Sequence, residues 1–242
     1  MQYRYLLPSA LILAIGMAAA GWLAGRGLVE SRLGHRTVLV KGFSERVVKA
    51  DLGFWPIRFT VSGPTLEEAR RRLDAAEGAV EGYLEKHGFK AGDREIQNIQ
   101  VEDRKSGYNS NNVDEESRFV LTEDMIVRSG DVDGLAKAAR NIGDLIRAGV
   151  VLTSDQYNSG PSFVFTKLNE LKPEMLTEAT KRARDSAEQF ARESGSKVGA
   201  IFDANQGLFT IGPAIEIPNE RGDKQVEKLV RVVTTITYFL RD

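Results

Sequence analysis

The sequence predicts an α+β fold: mostly antiparallel sheets covered by about three amphipathic helices, preceded by one N-terminal hydrophobic helix. Three observations lead to this prediction. Short segments with apolar residues at every second position, joined by short turns, predict strands that pair antiparallel. Three longer segments repeat their apolar residues every three to four positions, as amphipathic helices do. One uncharged stretch, Leu6 to Ala24, is long enough to cross a bilayer core.

The uncharged stretch sets the predicted domain plan, with an anchor or signal peptide at 1–25, a polar linker at 26–36 and an α+β domain at 37–242. Two interpretations stay open. The stretch is either an uncleaved transmembrane anchor or a secretory signal peptide cut near the small residues 18–20. Trp22, a residue type suited to the membrane interface, favours the anchor. Since long domains translocate largely regardless of flanking charge, we expect the bulk of the chain outside the cytoplasm.

The first strands are predicted at Thr37 to Phe43 and Arg46 to Ala50, followed by a longer one at Leu52 to Val61. In this longer segment apolar and other residues alternate, which is typical of a strand with one buried face. Pro56 cannot donate a hydrogen bond, so the strand should be an edge or carry a bulge at that position.

The clearest helix follows the break at residues 62–64. Thr65 and Glu68 have the spacing of a capping box, and Gly88 is placed to end the helix. Its apolar stripe consists of Leu66, Ala69, Leu73, Ala76, Val80 and Leu84. A long hairpin comes next, with strands at Asp93 to Asp103 and Phe119 to Val127 around a polar loop.

The second half of the chain repeats these patterns. Asp131 is positioned to cap a second helix, and Pro173 lies in the first turn of a third. The predicted elements are a helix at Val132 to Arg147, strands at Val150 to Ser154 and Phe163 to Leu168, a helix at Pro173 to Ser194, and strands at Lys197 to Ala204 and Lys228 to Leu240.

Composition excludes several classes of function. The formal net charge is -1, and no dense basic run is present, which argues against a nucleic-acid partner. The chain has no cysteine, so it has no disulfides, thiol nucleophiles or thiolate metal sites. Its two histidines, His35 and His87, have no second ligand at metal-binding spacing. We therefore predict no catalytic residues, no cofactor and no metal.

Two groups of residues were weighed as sites. Acidic and amide oxygens that would suit calcium occur at Glu102, Asp103, Asn109, Asn111, Asn112, Asp114, Glu115 and Glu116. These residue types are also ordinary in turns, and a solvated hairpin tip is the favoured interpretation. Trp55 and Phe59 could line a pocket, although alternate aromatic residues on a strand are more often core. Met125 and Met175 are interpreted as packing residues.

The order of these signals resembles the SIMPL-domain family, the YggE-like proteins of bacterial envelopes. The resemblance covers Thr37 to Leu240 and rests on Val38–Gly42, Val47–Leu52, Thr65–Ala69, Asp131–Leu135 and Ala179–Gly199. It implies an α+β domain in the periplasm or on an envelope membrane, assembly into higher oligomers, and a link to oxidative or envelope stress. It supplies no catalytic residues.

Together these arguments predict a non-enzymatic envelope protein, single-pass in the inner membrane with its bulk in the periplasm, that forms homo-oligomers. If the N-terminal segment is cleaved, the protein is soluble in the periplasm instead. The alternative function is a periplasmic module that binds a small ligand or peptide in a groove between helices and sheet. An enzyme that works through carboxylates such as Asp114 is the least favoured hypothesis.

Overall fold

A computed structural model describes residues 14–26, 36–106, 114–153 and 160–241. The described residues contain two four-stranded sheets, and every strand pair with a described register is antiparallel. The strands are β1 Thr37–Lys49, β2 Leu52–Gly63, β3 Arg94–Asp103, β4 Phe119–Ser129, β5 Ser162–Val164, β6 Lys197–Gln206, β7 Thr210–Pro213 and β8 Glu227–Arg241. The helices are α1 at 14–26, α2 Leu66–Lys86, α3 Val132–Arg140, α4 Gly143–Arg147 and α5 Leu168–Glu193.

The chain divides into two compact units. The larger contains residues 44–177 and 208–232, and the smaller is built from the described parts of 1–43, 178–207 and 233–242. Three elements, β1, β8 and α5, contribute residues to both units. The predicted α+β class is therefore confirmed, with its apolar residues gathered in two separate clusters.

The larger unit packs α2 and α3 against a sheet of strand order β3-β4-β2-β5. Every second residue is buried from Gly53 to Phe59 of β2 and from Leu121 to Val127 of β4, including Trp55 and Met125. The stripe predicted for α2 supplies the facing layer, although its first member, Leu66, is 48% exposed. The hydroxyl of Thr65 accepts a hydrogen bond from the Glu68 N–H at 3.2 Å, as the spacing predicted.

The smaller unit has its own apolar cluster. It joins Val38 and Val40 of β1 to alanines of α5 and to Ile236 and Tyr238 of β8. Gly42 permits the closest approach of strand and helix, because a Cβ atom at this position would lie 1.9 Å from the Ala179 carbonyl oxygen. This unit is thus held by a helix rich in alanine that lies almost directly on the backbone of β1.

Several strands differ from their predicted bounds. The two strands predicted at 37–43 and 46–50 form one continuous strand, β1, because the alternation of buried and exposed residues runs unbroken through Ser44. Of the strand predicted at Val150 to Ser154, the described residues contain a single bridge, between Leu152 and Phe59. β5 is shorter than predicted, and β7, in a segment where no strand was predicted, pairs with β8.

Pro56 is predicted at an edge or a bulge of its strand, and β2 carries no bulge there in its pairing with β4. β2 pairs along its whole length with β4, but on its other side β5 reaches only as far as Phe54. The next hydrogen bonds on that side join β2 to residues after α4: the Arg58 carbonyl accepts from the Thr153 N–H, and the Thr60 N–H donates to the Val151 carbonyl, both at 2.9 Å. Since N–H groups two residues apart point to the same side, the nitrogen of Pro56 faces this side of β2. Among the described residues, none pairs with β2 there between Phe54 and Arg58.

Two predicted helices have different limits. The helix predicted at Val132 to Arg147 is divided into α3 and α4, since tighter i to i−3 hydrogen bonds replace helical ones around Asn141. Asp131 caps α3 through a 3.0 Å hydrogen bond from the Gly134 N–H. The third helix begins at Leu168, so Pro173 lies inside α5 and not in its first turn.

The N-terminal prediction is only partly within the described residues. Residues 14–26 are helical, and the part of the predicted stretch from Leu6 to residue 13 lies outside the described residues. Among the helices that the structure describes, none combines the length and the apolar character needed to span a bilayer. The anchor stays a prediction.

Candidate functional site

A cavity of about 520 Å³ opens beside α2 in the larger unit. Its walls come from the C-terminal half of β2, one flank of α2, the start of β4, and residues 148–151 after α4. Its volume falls within the range of small-molecule sites, roughly 300 to 1,000 Å³. The polar lining consists of Thr60, Ser62, Arg72, Arg104 and Ser117. The cavity lies between α2 and the sheet, and Trp55, where the sequence suggested a pocket, is not among its described lining residues.

Two guanidinium groups supply the charge of this cavity. Arg72 is held in place, because its side chain donates to the Ser62 carbonyl at 2.7 Å and to the Glu68 carboxylate at 3.2 Å. Arg104 is exposed, and no hydrogen bond or ion pair links its side chain to another described residue. Among the described residues that line the cavity, none is Asp or Glu. The described lining is consequently cationic, with one arginine anchored and the other without a partner among the described residues.

The remaining lining is apolar and small. Ala75, Ala76 and Ala79 present one flank of α2, and Val120 and Val150 lie among the other apolar lining residues. Gly149 adopts a φ of 87°, a conformation that side chains rarely take, and this turn brings Val150 back towards β2. An apolar wall next to guanidinium groups can bind a molecule with both an apolar body and a negative charge.

The residues proposed from the sequence as a pocket lie elsewhere. Trp55 and Phe59 are 1% and 0% exposed and belong to the main apolar cluster of the larger unit. Their interpretation as core is confirmed. Met125 and Met175 are likewise buried among packed residues.

The acidic hairpin tip is engaged in ion pairs of its own. Asp103 accepts hydrogen bonds from Arg118 at 3.0 and 3.1 Å, which lowers the pKa of that carboxyl. Glu115 pairs with Lys105, and its pKa is lowered for the same reason. Asp114 caps the short turn that follows. Glu102 and Glu116 are exposed, and Asn109, Asn111 and Asn112 lie outside the described residues. Over the described stretches of the chain, no three His, Asp or Glu side chains are grouped as metal ligands would be.

His87 caps the end of α2 and has a structural contact. Its Nδ1 lies 2.9 Å from the Tyr83 carbonyl oxygen, and its ring packs on that of Tyr83 at 4.3 Å between centroids. His35 lies outside the described residues.

Glu123 is the most unusual side chain of the larger unit. It is fully buried on β4, and neither carboxyl oxygen has a hydrogen-bond partner among the described residues. Burial, reinforced by the negative charge of Glu77 on α2, raises its pKa to about 7. Sequence analysis missed this residue, although its position between Leu121 and Met125 in the alternating pattern already placed an acid on the buried face.

A second polar cluster joins β5 to the turn before β8. The Ser162 hydroxyl donates to Asp223 at 3.0 Å, and the Lys224 ammonium lies 3.3 Å from the same hydroxyl. Burial lowers the pKa of Lys224, while the Asp223 carboxylate favours its charged form. The Ser162 hydroxyl donates its hydrogen bond to a carboxylate, and the Lys224 ammonium donates to the Gly160 carbonyl. The arrangement therefore links two segments of the fold and does not activate Ser162 as a nucleophile.

Comparison with known families decides the relationship of the chain. The model of the SIMPL family, described as a protein of unknown function (DUF541), matches residues 38–231. The chain belongs to the SIMPL family. The resemblance noted in the sequence is therefore confirmed over most of the predicted domain, and the match includes every residue that lines the cavity of this SIMPL protein.

Other comparisons add little about this SIMPL chain. No curated protein matches it. It is similar to the crystal structure of an uncharacterized conserved protein from Listeria innocua, with 12% identity, 78% of this chain and 91% of that chain covered, and a TM-score of 0.18. It is also similar to a hydrolase from Listeria innocua, with 13% identity, coverage of 78% and 90%, and a TM-score of 0.16. These scores are too low to carry an argument.

Proposed function

We propose that this SIMPL protein is a non-enzymatic component of the bacterial envelope that works as a homo-oligomer. In this proposal Leu6 to Ala24 tethers it to the inner membrane and its bulk lies in the periplasm. The chain has no cysteine and two histidines, so any protection against oxidants would be indirect. The family relationship supports the proposal, and one feature of the larger unit carries it: the exposed edge strand β3.

Within the part of the chain that the structure describes, β3 is an edge of its sheet and pairs with β4 alone. Ile96, Ile99 and Val101 are aligned with residues of β4 that point towards α2, yet they are 44%, 38% and 53% exposed. An edge strand with unpaired backbone groups and an apolar stripe favours pairing with another strand. In a homo-oligomer a second copy of the chain would cover this edge.

The test is the mass of the full-length protein in mild detergent, measured by light scattering together with intact mass spectrometry. We expect an uncut chain in one defined oligomer, and we expect Val101→Lys to lower the oligomer mass by placing a charge on the edge. Ile146→Lys is the matched control, because Ile146 is 61% exposed on α4, away from β3. A wild-type monomer, or equal masses for the Val101 variant and the wild type, would contradict assembly through β3.

A second candidate function, the binding of a small ligand or peptide, is supported by the cavity beside α2. Its volume and its mixed lining are those of a ligand site. Native mass spectrometry of the extracted protein should then show a bound small molecule. Ala75→Phe, which places a ring at the mouth of the cavity, should remove it. The absence of any bound mass from both proteins, together with no binding in a ligand panel, would exclude this function.

A further inference from the structure

We infer that the cavity beside α2 binds a small organic carboxylate with an apolar body, and that Arg104 and Arg72 receive its charge. The inference rests on the second proposed function and names the chemical class of its ligand. It is independent of assembly through β3, because none of the exposed residues of that strand, Ile96, Ile99 and Val101, lines the cavity.

The positive charge of the cavity lining favours a negatively charged ligand. The described lining of the cavity contains two arginines and no acidic residue, although the chain as a whole has a net charge of -1. The carboxylate that pairs with Arg72 is that of Glu68, and it is shared with Arg71. Arg104 has no such partner among the described residues. A positive charge therefore remains available for a ligand.

The donor geometry suits a planar anion. Arg72 uses Nε and Nη1 for Glu68 and Ser62, and these two bonds fix the plane of its guanidinium while Nη2 has no partner among the described residues. A guanidinium presents paired donors that match the two oxygens of a carboxylate. The hydroxyl of Ser62 adds a neutral group to the same lining, whereas the Ser117 hydroxyl donates to the Asp114 carbonyl at 3.4 Å.

The apolar wall separates this ligand class from inorganic anions. Phosphate or sulfate would leave Ala76, Ala79, Val120 and Val150 without a contact, whereas a hydrocarbon or aryl group would cover them. The carboxylate could belong to a free acid or to the C-terminus of a short apolar peptide. Both present the same chemistry to the two arginines, and the experiment separates them.

The probe is 3-(4-fluorophenyl)propanoate, followed by ¹⁹F NMR with the full-length chain in lipid nanodiscs. The uncharged comparison is the corresponding amide, and an N-acetylated apolar tripeptide with a free carboxylate represents the peptide source. We expect both carboxylates to bind at least about tenfold more tightly than the amide. Inorganic phosphate at the same concentration should not displace them.

Arg104→Gln is the decisive variant, because this side chain holds no other described part of the fold together. It should weaken binding of the carboxylate by about tenfold and leave binding of the amide unchanged. Arg140→Gln is its matched control, an exposed arginine that does not line the cavity. Ala75→Phe should abolish binding of acid and amide alike.

The outcomes separate the ligand class from the proposed function. If acid and amide bind equally and Ala75→Phe blocks both, the cavity is a ligand site but the carboxylate class is wrong. If Arg104→Gln has no effect on the carboxylate, the role of this arginine is overturned. If neither probe binds and no other ligand does, both the class and the binding function fail. Preference for the tripeptide over the aryl acid would identify the peptide C-terminus as the source.

Discussion

Glu123 makes the stability of the larger unit depend on pH. Its carboxyl is fully buried and has no hydrogen-bond donor among the described residues, so the folded state strongly favours the protonated form. Of the charged groups on α2 that act on it, Glu77, Glu81 and Asp74 raise its pKa and Arg70 opposes them. Together these effects raise the pKa of Glu123 from 4.5 to about 7, and burial is the largest of them.

The sign of the effect follows from proton binding. Between pH 4.5 and about 7 the folded state keeps a proton on Glu123 that the unfolded state has released, so the free energy of unfolding falls as pH rises. The stabilising contribution is complete below pH 4.5 and absent above about pH 7. A pKa shift of this size corresponds to a change of about 3 kcal/mol in the free energy of unfolding. Glu123→Gln removes the titrating group and should remove this slope.

The assay is urea denaturation of the full chain in mild detergent from pH 4 to pH 9, monitored by tryptophan fluorescence. A Trp22→Phe background leaves Trp55 as the reporter, and Trp55 lies in the same unit as Glu123. We expect the variant's stability relative to its parent to improve by about 3 kcal/mol between pH 4 and pH 8. Glu102→Gln, at an exposed carboxyl, should leave the slope unchanged. Parallel curves for parent and Glu123→Gln would refute the reasoning.

Three further predictions concern backbone fit and single hydrogen bonds, each checked by thermal or urea denaturation of the full chain. Gly42→Ala should destabilise the smaller unit by about 3 kcal/mol, because its Cβ would meet the Ala179 carbonyl. Gly78→Ala is the comparison: it lies on α2 with open space around it and should stabilise the protein by about 0.5 to 1 kcal/mol. An equal effect of both changes would contradict the close approach at Gly42. Thr65→Ala should lower the free energy of unfolding by about 1 kcal/mol, because α2 loses its cap. Thr65→Ser keeps a hydroxyl at the cap and should retain most of the wild-type stability. Tyr83→Phe should cost about 1 kcal/mol, since the buried hydroxyl donates to the Ala138 carbonyl at 2.6 Å, and an unchanged midpoint would show that this bond adds nothing.

The site could be predicted from the sequence only in outline. The sequence predicts the helix that carries Arg72, and it places Arg104 at the end of the first strand of the hairpin. Neither arginine has a local feature that marks it as part of a site. Ser62 and Val150 are 88 positions apart, and only the path of the chain brings them to one cavity. Trp55 and Phe59 could be interpreted as core residues without knowledge of distant neighbours, because the alternation within one strand already indicated a buried face.

The sequence by itself determined the elements whose signals are local. The cap at Thr65, the helix stop at Gly88 and the alternation through β2 and β4 depend on residues a few positions apart, and all three are present as predicted. Tertiary structure decided what depends on distant partners: the division into two units, the free edge of β3, the unpaired stretch that accommodates Pro56, and the burial that raises the pKa of Glu123. Pairing, edges and desolvation are properties of neighbours in space, and these neighbours are set by the whole chain and not by the local pattern.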